Sequence, residues 1–536
     1  MKALTADEMR EVDRLTTERH GIPSLQLMEA AGKHVADEVK RRSVGVRPRR
    51  ITILCGKGNN GGDGLVAARL LRESRLDPFV CLFGKREELR GDAAANLEQW
   101  LKVSNEIVEI IDPSALEQVW PKIAKSHVIV DALLGTGLHG SATGLIGRVI
   151  ERLNQYSRNA TRACPALILA VDTPSGLPSD GHAAEGPVLR AHLTVTFTAP
   201  KIGQLVSADA ACTGQLLVRQ IGSPETFIEE VGQGMLRWSG PDEFAELPLV
   251  RAADSHKGSF GHVLVVAGSV GKSGAAILAG QAALRAGAGL VTIATPDVAQ
   301  PIVAAGHSEY MTEPLASTKA GTVAASNLYT DHFSKYLEGK TVLALGPGLG
   351  THPKTQKFIR ELVQHNSLPI ILDADGLNAF ASSPDILQQR KSKFLCVTPH
   401  PGEMARLLGV STASVQQDRI KTATEAARRW NAHVILKGFH TVLASPEGKV
   451  FVNTTGNAGL AKGGSGDVLT GALAALTAQF GTIDWLRVLA LGVYLHGSAA
   501  DTPVRAPDLS GILAHEIADA LPSARAGLLR ELQRRA

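Results

Sequence analysis

The chain has 536 residues, 44% hydrophobic and 20% charged, which is typical of a globular protein with roughly two to four domains. Its 56 basic and 52 acidic residues leave a net charge of +4, too small to indicate nucleic acid or a membrane surface as a partner. The five cysteines include no CxxC pair and the N-terminus lacks an apolar signal core, so we expect a cytoplasmic protein.

The first part of the chain alternates between strand and helix patterns. Thr5 to Glu8 has the spacing of a capping box, and residues 25–39 predict a second helix. Residues 51–55 then begin a series of short apolar strands with room for crossover helices between them. This alternation indicates an α/β fold with a parallel, doubly wound, Rossmann-like sheet over residues 1–221.

The alternation stops and then resumes. We predict a linker over residues 222–240, within a stretch that carries three prolines and no clear strand. A second α/β domain follows over residues 241–536. Within it, residues 440–453 predict a hairpin, and the charged tail, residues 524–536, predicts a solvated or frayed helix.

Two glycine-rich turns carry the clearest chemical signal. They span Gly56–Gly64 and Gly463–Gly471, and each contains a Gly-Asp pair before a helix. Glycines let backbone N–H groups gather around an anion at a helix N-terminus, whereas an aspartate there serves better as a base or an orienting acceptor. Two such turns indicate two linked activities on phosphate-bearing small molecules.

The first turn matches GxGxxG, which is weak evidence alone for a dinucleotide site. The usual NAD mode also needs an acidic residue after the second strand, but Phe83–Arg86 stands there. This argues against that mode and leaves a 2′-phosphate mode open. Asn59 and Asn60 add side-chain amides that suit a cation or a polar ligand.

Two further strand ends carry oxygen-bearing side chains. Asp131 ends one predicted strand, and Asp172 and Ser175 follow another. Because ligands bind at the carboxyl ends of parallel strands, Asn60, Asp131 and Ser175 can together offer oxygens to a hard cation. Asp172 then remains as a candidate base. The alternative is that each aspartate only caps its own turn.

The second turn suits phosphoryl transfer. Gly463, Gly464 and Gly466 can form an anion hole, with Asp467 taking the proton from an acceptor hydroxyl. The alternative is that Asp467 only complements the helix dipole. His400 and Lys437, each just after a strand, favour the catalytic interpretation.

One phosphate-loop pattern is a false match. Residues 268–274 follow a strand and contain Gly-Lys-Ser, but the pattern needs glycine where Val266 stands.

Residues 1–220 resemble the epimerase domain of the bifunctional NAD(P)H-hydrate repair enzymes. The resemblance is carried by LMEAAG (27–32), GNNGGDG (58–64), DALLGTG (131–137), VDTPSG (171–176) and TAPK (198–201). It implies interconversion of the R and S forms of hydrated NAD(P)H, with Asp172 as acid/base and K⁺ held by Asn60, Asp131 and Ser175. For Lys201 a structural role and an assisting role both stay open. The implied substrate contacts are Asn59, Asn60, Gly61, Gly62, Asp63, Gly135, Thr136, Gly137, Leu138, His139, Gly140, Ser141 and Asp172.

Residues 240–525 resemble the ADP-dependent NAD(P)H-hydrate dehydratases of the ribokinase-like superfamily. GPGLGT, DADGLN, TPHPGE and GGSGDVLTG are among the segments that carry this resemblance. It implies that a ring hydroxyl is phosphorylated by ADP with Mg²⁺, after which phosphate leaves, with Asp467 as the base. The implied substrate contacts are Ala275, Gly350, His400 and Asp467. The implied nucleotide contacts are Lys437, Gly438, Phe439, His440, Thr441 and Gly466.

The leading prediction is therefore a fused repair enzyme acting on hydrated NADH or NADPH and ADP. One alternative is a small-molecule kinase fused to a regulatory nucleotide-binding module, and another makes the N-terminal half a ligand sensor or scaffold. We expect a homo-oligomer. The small-residue helix over residues 274–289 fits either a subunit interface or a core.

Overall fold

A computed structural model of the chain describes residues 1–45, 49–104, 106–138, 140–158, 166–329, 335–481, 483–502 and 509–535. The chain divides into two compact units, Met1–Leu236 and Arg237–Ala536. Among the described residues, no helix combines the length and apolar character needed to cross a bilayer.

The first unit contains seven strands and eight helices among its described residues. The strands are β1 (Ile51–Cys55), β2 (Pro78–Leu82), β3 (Ile107–Glu109), β4 (Val128–Ala132), β5 (Leu167–Val171), β6 (Leu193–Phe197) and β7 (Gln215–Arg219). The helices are α1 (Ala6–Glu18), α2 (Ser24–Arg42), α3 (Asn59–Glu73), α4 (Gly91–Val103), α5 (Pro113–Ile123), α6 (Gly144–Arg158), α7 (Ile202–Val206) and α8 (Glu225–Val231).

These strands form one parallel sheet in the order β3-β2-β1-β4-β5-β6-β7. Successive side chains point to opposite faces, so Ile53 joins one buried cluster and Leu54 the other. A sheet buried on both faces explains why its strands are continuously apolar. The strand order reverses between β1 and β4, where a doubly wound fold binds its ligand.

The N-terminal helix starts where the sequence predicts. The Thr5 hydroxyl accepts from the Glu8 backbone N–H, and the Glu8 carboxylate accepts from the Thr5 N–H at 2.8 Å, which confirms the capping box. Helix α3 differs from the prediction, because it begins at Asn59 and includes the second half of the glycine-rich turn. Asp63 therefore projects from a helix rather than from a loop.

The second unit continues the alternation. Its strands are β8 (Leu236–Trp238), at the boundary, β9 (His262–Val266), β10 (Leu290–Pro296), β11 (Met311–Leu315), β12 (Val342–Leu345), β13 (Ile370–Leu372), β14 (Leu395–Val397), β15 (His433–Leu436), β16 (Thr441–Ala444) and β17 (Val450–Asn453). Its helices are α9 (Ser273–Arg285), α10 (Gln300–Ala304), α11 (Pro353–His365), α12 (Asp375–Asn378), α13 (Pro401–Leu408), α14 (Thr412–Gln417), α15 (Arg419–Trp430), α16 (Ser465–Phe480), α17 (Trp485–Asp501) and α18 (Ala514–Arg535).

These strands form one sheet in the order β11-β10-β9-β12-β13-β14-β15-β16-β17-β8. Strands β9 to β15 pair in parallel, and β15, β16 and β17 pair antiparallel, which includes the predicted hairpin. The order reverses between β9 and β12, so the carboxyl ends of the central strands again mark a site. Both units confirm the predicted α/β class. The segment 222–240 carries α8 and all of β8.

Helix α9 lies in the core of this unit. Ala276, Ala279, Ala282 and Ala283 are buried in one cluster with apolar residues of α16 and α17. Its small residues therefore serve close packing between helices. The C-terminal tail is helical, as one of the two predicted alternatives has it, but the prediction that it is solvated is wrong at Ala524 and Leu528 of α18, which are buried in the same cluster. Charged residues dominate the tail, but its apolar residues recur at helical spacing.

The contact between α9 and α16 yields a stability prediction. A methyl group on Gly471 would overlap the carbonyl oxygen of Ala279, so Gly471→Ala must separate the two helices. We expect a loss of about 1–3 kcal/mol in unfolding free energy, measured by calorimetry. As a control, Gly527→Ala lies on α18 with no atom closer than 4.0 Å and should stabilise by up to about 1 kcal/mol. Equal effects of both changes would contradict this packing.

Candidate active sites

A cluster of oxygen atoms lies between the carboxyl ends of β4 and β5. Asp131 is fully buried, and its carboxylate accepts from the Ser175 hydroxyl at 2.6 Å and from the Ser175 N–H at 2.8 Å. The Asn60 amide donates to the carbonyl of Leu134 at 2.9 Å, which places α3 against the same loop. The structure thus brings Asn60, Asp131 and Ser175 to one edge of the sheet.

These residues fit a cation. The side-chain oxygen of Asn60 is buried and accepts no hydrogen bond from the described residues. An orphaned amide oxygen is costly unless a ligand satisfies it. Burial raises the pKa of Asp131 to about 6, against hydrogen bonds from Ser175 and Leu133, so a nearby positive charge would favour its ionised form.

Asp172 sits in a strained turn directly after β5. Its φ is +59°, a left-handed value that costs a non-glycine residue energy and is typical of functional sites. Its carboxylate accepts from the ammonium of Lys201 and from the Thr196 hydroxyl at 3.0 Å. The side chain of Lys201 is only 1% exposed, whereas that of Asp172 is 15% exposed. The buried lysine therefore holds a carboxylate that solvent and substrate can reach.

Two further carboxyl groups face this ion pair. Burial raises the pKa of Asp13 to about 6, and burial with the negative charges of Asp172 and Asp13 raises that of Asp63 well above its usual range. One oxygen of Asp13 is buried and has no hydrogen-bond partner among the described residues. Three carboxyl groups, those of Asp13, Asp63 and Asp172, thus surround the ammonium of Lys201. Because like charges repel, this arrangement favours a proton on one of the three.

The remaining predicted contacts of this unit line the glycine turns. A Cβ at Gly135 would lie 3.2 Å from the Cβ of Asn60, so the two loops meet. Ser141 lies against Gly186. His139 lies outside the described residues. The predicted contacts that are exposed or half-buried include Asn59, Thr136, Gly137, Leu138 and Gly140.

In the second unit, an ion pair joins Asp373, directly after β13, to Lys437, directly after β15. The Lys437 ammonium donates to Asp373 at 2.8 Å, and the other oxygen of Asp373 accepts from the Thr470 hydroxyl at 2.8 Å. Burial opposes the charge of Lys437, but Asp373 and Glu403 outweigh it and raise its pKa. The Cβ position of Gly466 lies 3.4 Å from the Lys437 nitrogen, so the ammonium stands beside the glycine turn.

Asp467 occupies the first turn of α16, as predicted. Burial, with the negative charge of Asp373, raises its pKa to about 7, and Lys437 only partly offsets this shift. A carboxyl group that titrates near neutral pH is suited to accept a proton. The backbone N–H groups at the start of a helix have no partner within that helix. Gly464, with φ of +94°, directly precedes α16, so these N–H groups lie beside Asp467.

His400 and Glu403 close a capping box on α13. The His400 ring accepts from the backbone N–H of Gly402 at 3.0 Å, and the Glu403 carboxylate accepts from the His400 N–H at 2.8 Å. The same carboxylate lies 3.8 Å from the Lys437 nitrogen. His400 itself is half exposed, so its ring is available beside the ion pair.

Ala275 and Gly350 lie together on the other side of the switch point. The Cβ position of Gly348 lies 3.0 Å from the Cβ of Ala275, and the Gly350 N–H donates to Asp375 at 2.8 Å. Lys272 pairs with the same carboxylate at 3.1 Å. The lysine of the false phosphate loop therefore holds the loop that contains Gly350.

The predicted nucleotide residues Lys437 to Thr441 form the loop between β15 and β16. Phe439 is 55% exposed, and its ring stacks on that of His440 with centroids 3.9 Å apart. Gly466 faces this loop through Lys437.

Sequence analysis did not single out Asp13, Asp373 or Asp375. The two aspartates of the DADGLN segment follow β13, so the rule that placed Asp131 and Asp172 at strand ends would also have found them. Asp13 offered no such signal, because it lies on the amphipathic helix α1 and reaches the site only through the tertiary fold.

Comparisons with known proteins find a family model for each part of the chain. The profile described as NAD(P)H-hydrate dehydratase matches residues 263–523, and that of the YjeF-related protein N-terminus matches residues 24–203. A bifunctional NAD(P)H-hydrate repair enzyme from Moorella thermoacetica is 41% identical over 534 residues, 99% of this chain and 98% of that protein. The enzyme of the same name from Coxiella burnetii is 37% identical over 512 residues, 95% and 96% of the two chains.

A solved structure also matches. It is an ADP/ATP-dependent NAD(P)H-hydrate dehydratase from Bacillus subtilis, co-crystallised with ATP and Mg²⁺. It is 30% identical, with a TM-score of 0.46, and the match covers 55% of this chain and 98% of that one.

The curated relatives match along nearly the whole chain, in both units, at more than a third identity. This confirms the resemblance and favours the repair prediction over a kinase or a sensor. The chain belongs to the family of bifunctional NAD(P)H-hydrate repair enzymes.

Proposed function

We propose that the first unit interconverts the R and S forms of hydrated NAD(P)H and that the second dehydrates the S form with ADP. The observation that carries this proposal is the pairing, in one chain, of a carboxylate–ammonium site at β5 with a base beside an anion hole at α16. Fusion of the two activities is useful because the second reaction consumes one epimer only.

Inversion of a carbon that bears a hydroxyl needs an acid and a base. The hydroxyl leaves as water when it receives a proton, taking the C–O electron pair, and water then adds to the opposite face and gives up a proton. Asp172 is accessible for this exchange and is held by Lys201. Burial raises the pKa of Asp63 and Asp13, which favours the protonated form of each, so both are candidate proton donors close by.

Asn60, Asp131 and Ser175 are the residues that would hold K⁺. The unpartnered amide oxygen of Asn60 and the buried carboxylate of Asp131 supply the oxygen ligands that such a cation takes. A bound cation would supply fixed positive charge at the carboxyl ends of β4 and β5. Asn60 and the Gly135 loop, which meet beside it, would orient the substrate near Asp172.

Dehydration begins with transfer of a phosphoryl group to the ring hydroxyl. Asp467 takes the hydroxyl proton, the hydroxyl oxygen bonds to phosphorus, and the bond from phosphorus to the leaving nucleotide breaks. The backbone N–H groups at Gly464 to Gly466 hold the phosphoryl oxygens. Phosphate then leaves with the C–O electron pair, and loss of a ring proton restores NAD(P)H.

Lys437 and the loop to Thr441 hold the nucleotide. The raised pKa of Lys437 keeps its ammonium charged, so it can meet a nucleotide phosphate. Mg²⁺ would bind here largely through the nucleotide phosphates and water, and it would neutralise phosphate charge. Ala275, Gly350 and His400 line the side that receives the hydrated nicotinamide.

We further propose that the chain forms a homo-oligomer in the cytoplasm. The small-residue face of α9 is buried within its own unit, so association would use another surface. Val270 and Val298 are exposed, and both approach Gly321, which makes an apolar patch.

Two matched variants test the assignment of the two bases. Asp172→Asn should slow epimerisation by about 10²–10⁴-fold and leave dehydration of the S form intact, because it removes an acid/base group from one site only. Asp467→Asn should do the reverse. Recovery of absorbance at the NADH wavelength reports dehydration, and chiral chromatography of R hydrate reports epimerisation, with ADP and ATP compared side by side. Loss of both activities in either variant would refute separate sites.

The cation site predicts a change in potassium response. K⁺ should raise the unfolding temperature of the unaltered chain by a few degrees, because it binds the folded state. Asn60→Ala should abolish this rise, since it removes the buried oxygen ligand. Asn59→Ala alters the exposed neighbour and should keep the rise. An unchanged potassium response in Asn60→Ala would exclude Asn60 as a ligand.

The raised pKa of Asp467 predicts an acid limb for dehydration. The base works only when ionised, and its pKa is about 7, so protonation removes it as the pH falls. We expect kcat/KM for dehydration to drop roughly tenfold for each pH unit below about 7. Far-ultraviolet circular dichroism of the same preparation over the same pH range provides the control for folding. A dehydration rate that stays constant from about pH 8 to about pH 5 would contradict Asp467 as the base.

A further inference from the structure

The loop between β15 and β16 has a strained backbone. Gly438 has φ of +143° and His440 has φ of +50°, and the second value costs a non-glycine residue energy. Such a loop persists only if its surroundings hold it. Its carbonyl groups also turn away from the paired strands, so they need donors from elsewhere.

A single side chain supplies those donors. Arg419, the first residue of α15, donates through one nitrogen to the carbonyls of Phe439 and His440. Through the other it donates to the carbonyls of Leu436, at 3.0 Å, and Lys437, at 3.3 Å. A guanidinium carries five N–H donors in a rigid fork, whereas a lysine ammonium cannot span four carbonyls in this arrangement.

The guanidinium of Arg419 lies where a side chain on residue 438 would otherwise be. A Cβ on Gly438 would lie 3.0 Å from the Arg419 nitrogen that binds Leu436 and Lys437. The absence of a side chain at residue 438 therefore permits both the positive φ and the approach of the guanidinium.

The charge of Arg419 has no acidic partner among the residues that the structure describes. Its hydrogen bonds all go to neutral carbonyls, and its third nitrogen, Nε, is buried without a hydrogen bond. Burial alone lowers its pKa, to about 10, so it stays charged at neutral pH. A partly buried cation without a counter-ion is costly until an anion comes close.

We propose that Arg419 is the positioning residue of the nucleotide site: it holds the Leu436–His440 backbone in its binding conformation and presents an uncompensated positive charge to the anionic nucleotide. This inference rests on the proposed function, since it takes that loop as the place where the nucleoside diphosphate binds. Arg419 acts through the loop backbone and through its charge, and it touches no reacting atom.

The test compares Arg419→Lys and Arg419→Gln with the unaltered full-length chain. We expect the KM for ADP, and the Kd of ADP with Mg²⁺ by calorimetry, to rise at least about tenfold in both variants. The rise should be larger for Arg419→Gln, which also removes the charge. We expect kcat at saturating ADP to change less than about threefold, because Asp467 and the glycine turn are untouched.

The matched control is Arg428→Gln. Arg428 lies on the same helix, but its guanidinium lies beside the turn between β16 and β17, 2.7 Å from the Cβ position of Gly448. It should leave the ADP constants unchanged, and the epimerisation rate of every variant should equal that of the unaltered chain. If Arg419→Gln fails to fold, the charge-conserving Arg419→Lys still decides the outcome.

Two results would overturn the proposal. One is a KM and Kd for ADP within about twofold of the unaltered chain in both variants, and the other is a fall in kcat with no change in KM. Failure of the proposed function would look different, because the unaltered chain itself would then neither bind ADP nor dehydrate with it.

Discussion

Each unit depends on one ion pair between a lysine and an aspartate at the carboxyl end of a parallel strand. Lys201 holds Asp172 after β5, and Lys437 holds Asp373 after β13. A buried charge is tolerated only when a partner and further hydrogen bonds satisfy it, so each pair fixes its neighbours as well. Removal of either lysine would leave a carboxylate without its counter-charge.

The two ion pairs differ in which partner is more exposed. In the first unit the lysine is buried and the carboxylate is accessible, so the aspartate is the group presented to substrate. In the second unit the aspartate is 2% exposed and the lysine 20%, so the ammonium is the group presented to the nucleotide. The same interaction therefore supports the acid/base site that we propose in one unit and the anion site that we propose in the other.

Local sequence signals predicted much of this arrangement. The strand-end aspartates, the glycine turns and the capping box all follow from short-range patterns of apolar, glycine and polar residues. Asp13 and Arg419 were missed because each lies on an ordinary helix and acquires its role only by contact with a distant segment. The tail was judged by its charge, although the buried side of α18 decides its structure.

The number of carboxyl groups at each site follows from what each reaction does with protons. In the mechanism that we propose, epimerisation returns every proton it takes, so it needs a donor and an acceptor at once, and Asp13, Asp63 and Asp172 around one ammonium can provide both. Phosphoryl transfer removes a proton from the acceptor and needs only a base. We assign that base to Asp467 because its pKa is about 7, whereas Asp373 is held by Lys437 and Thr470, Glu403 by the His400 N–H, and Asp375 by Lys272 and the Gly350 N–H.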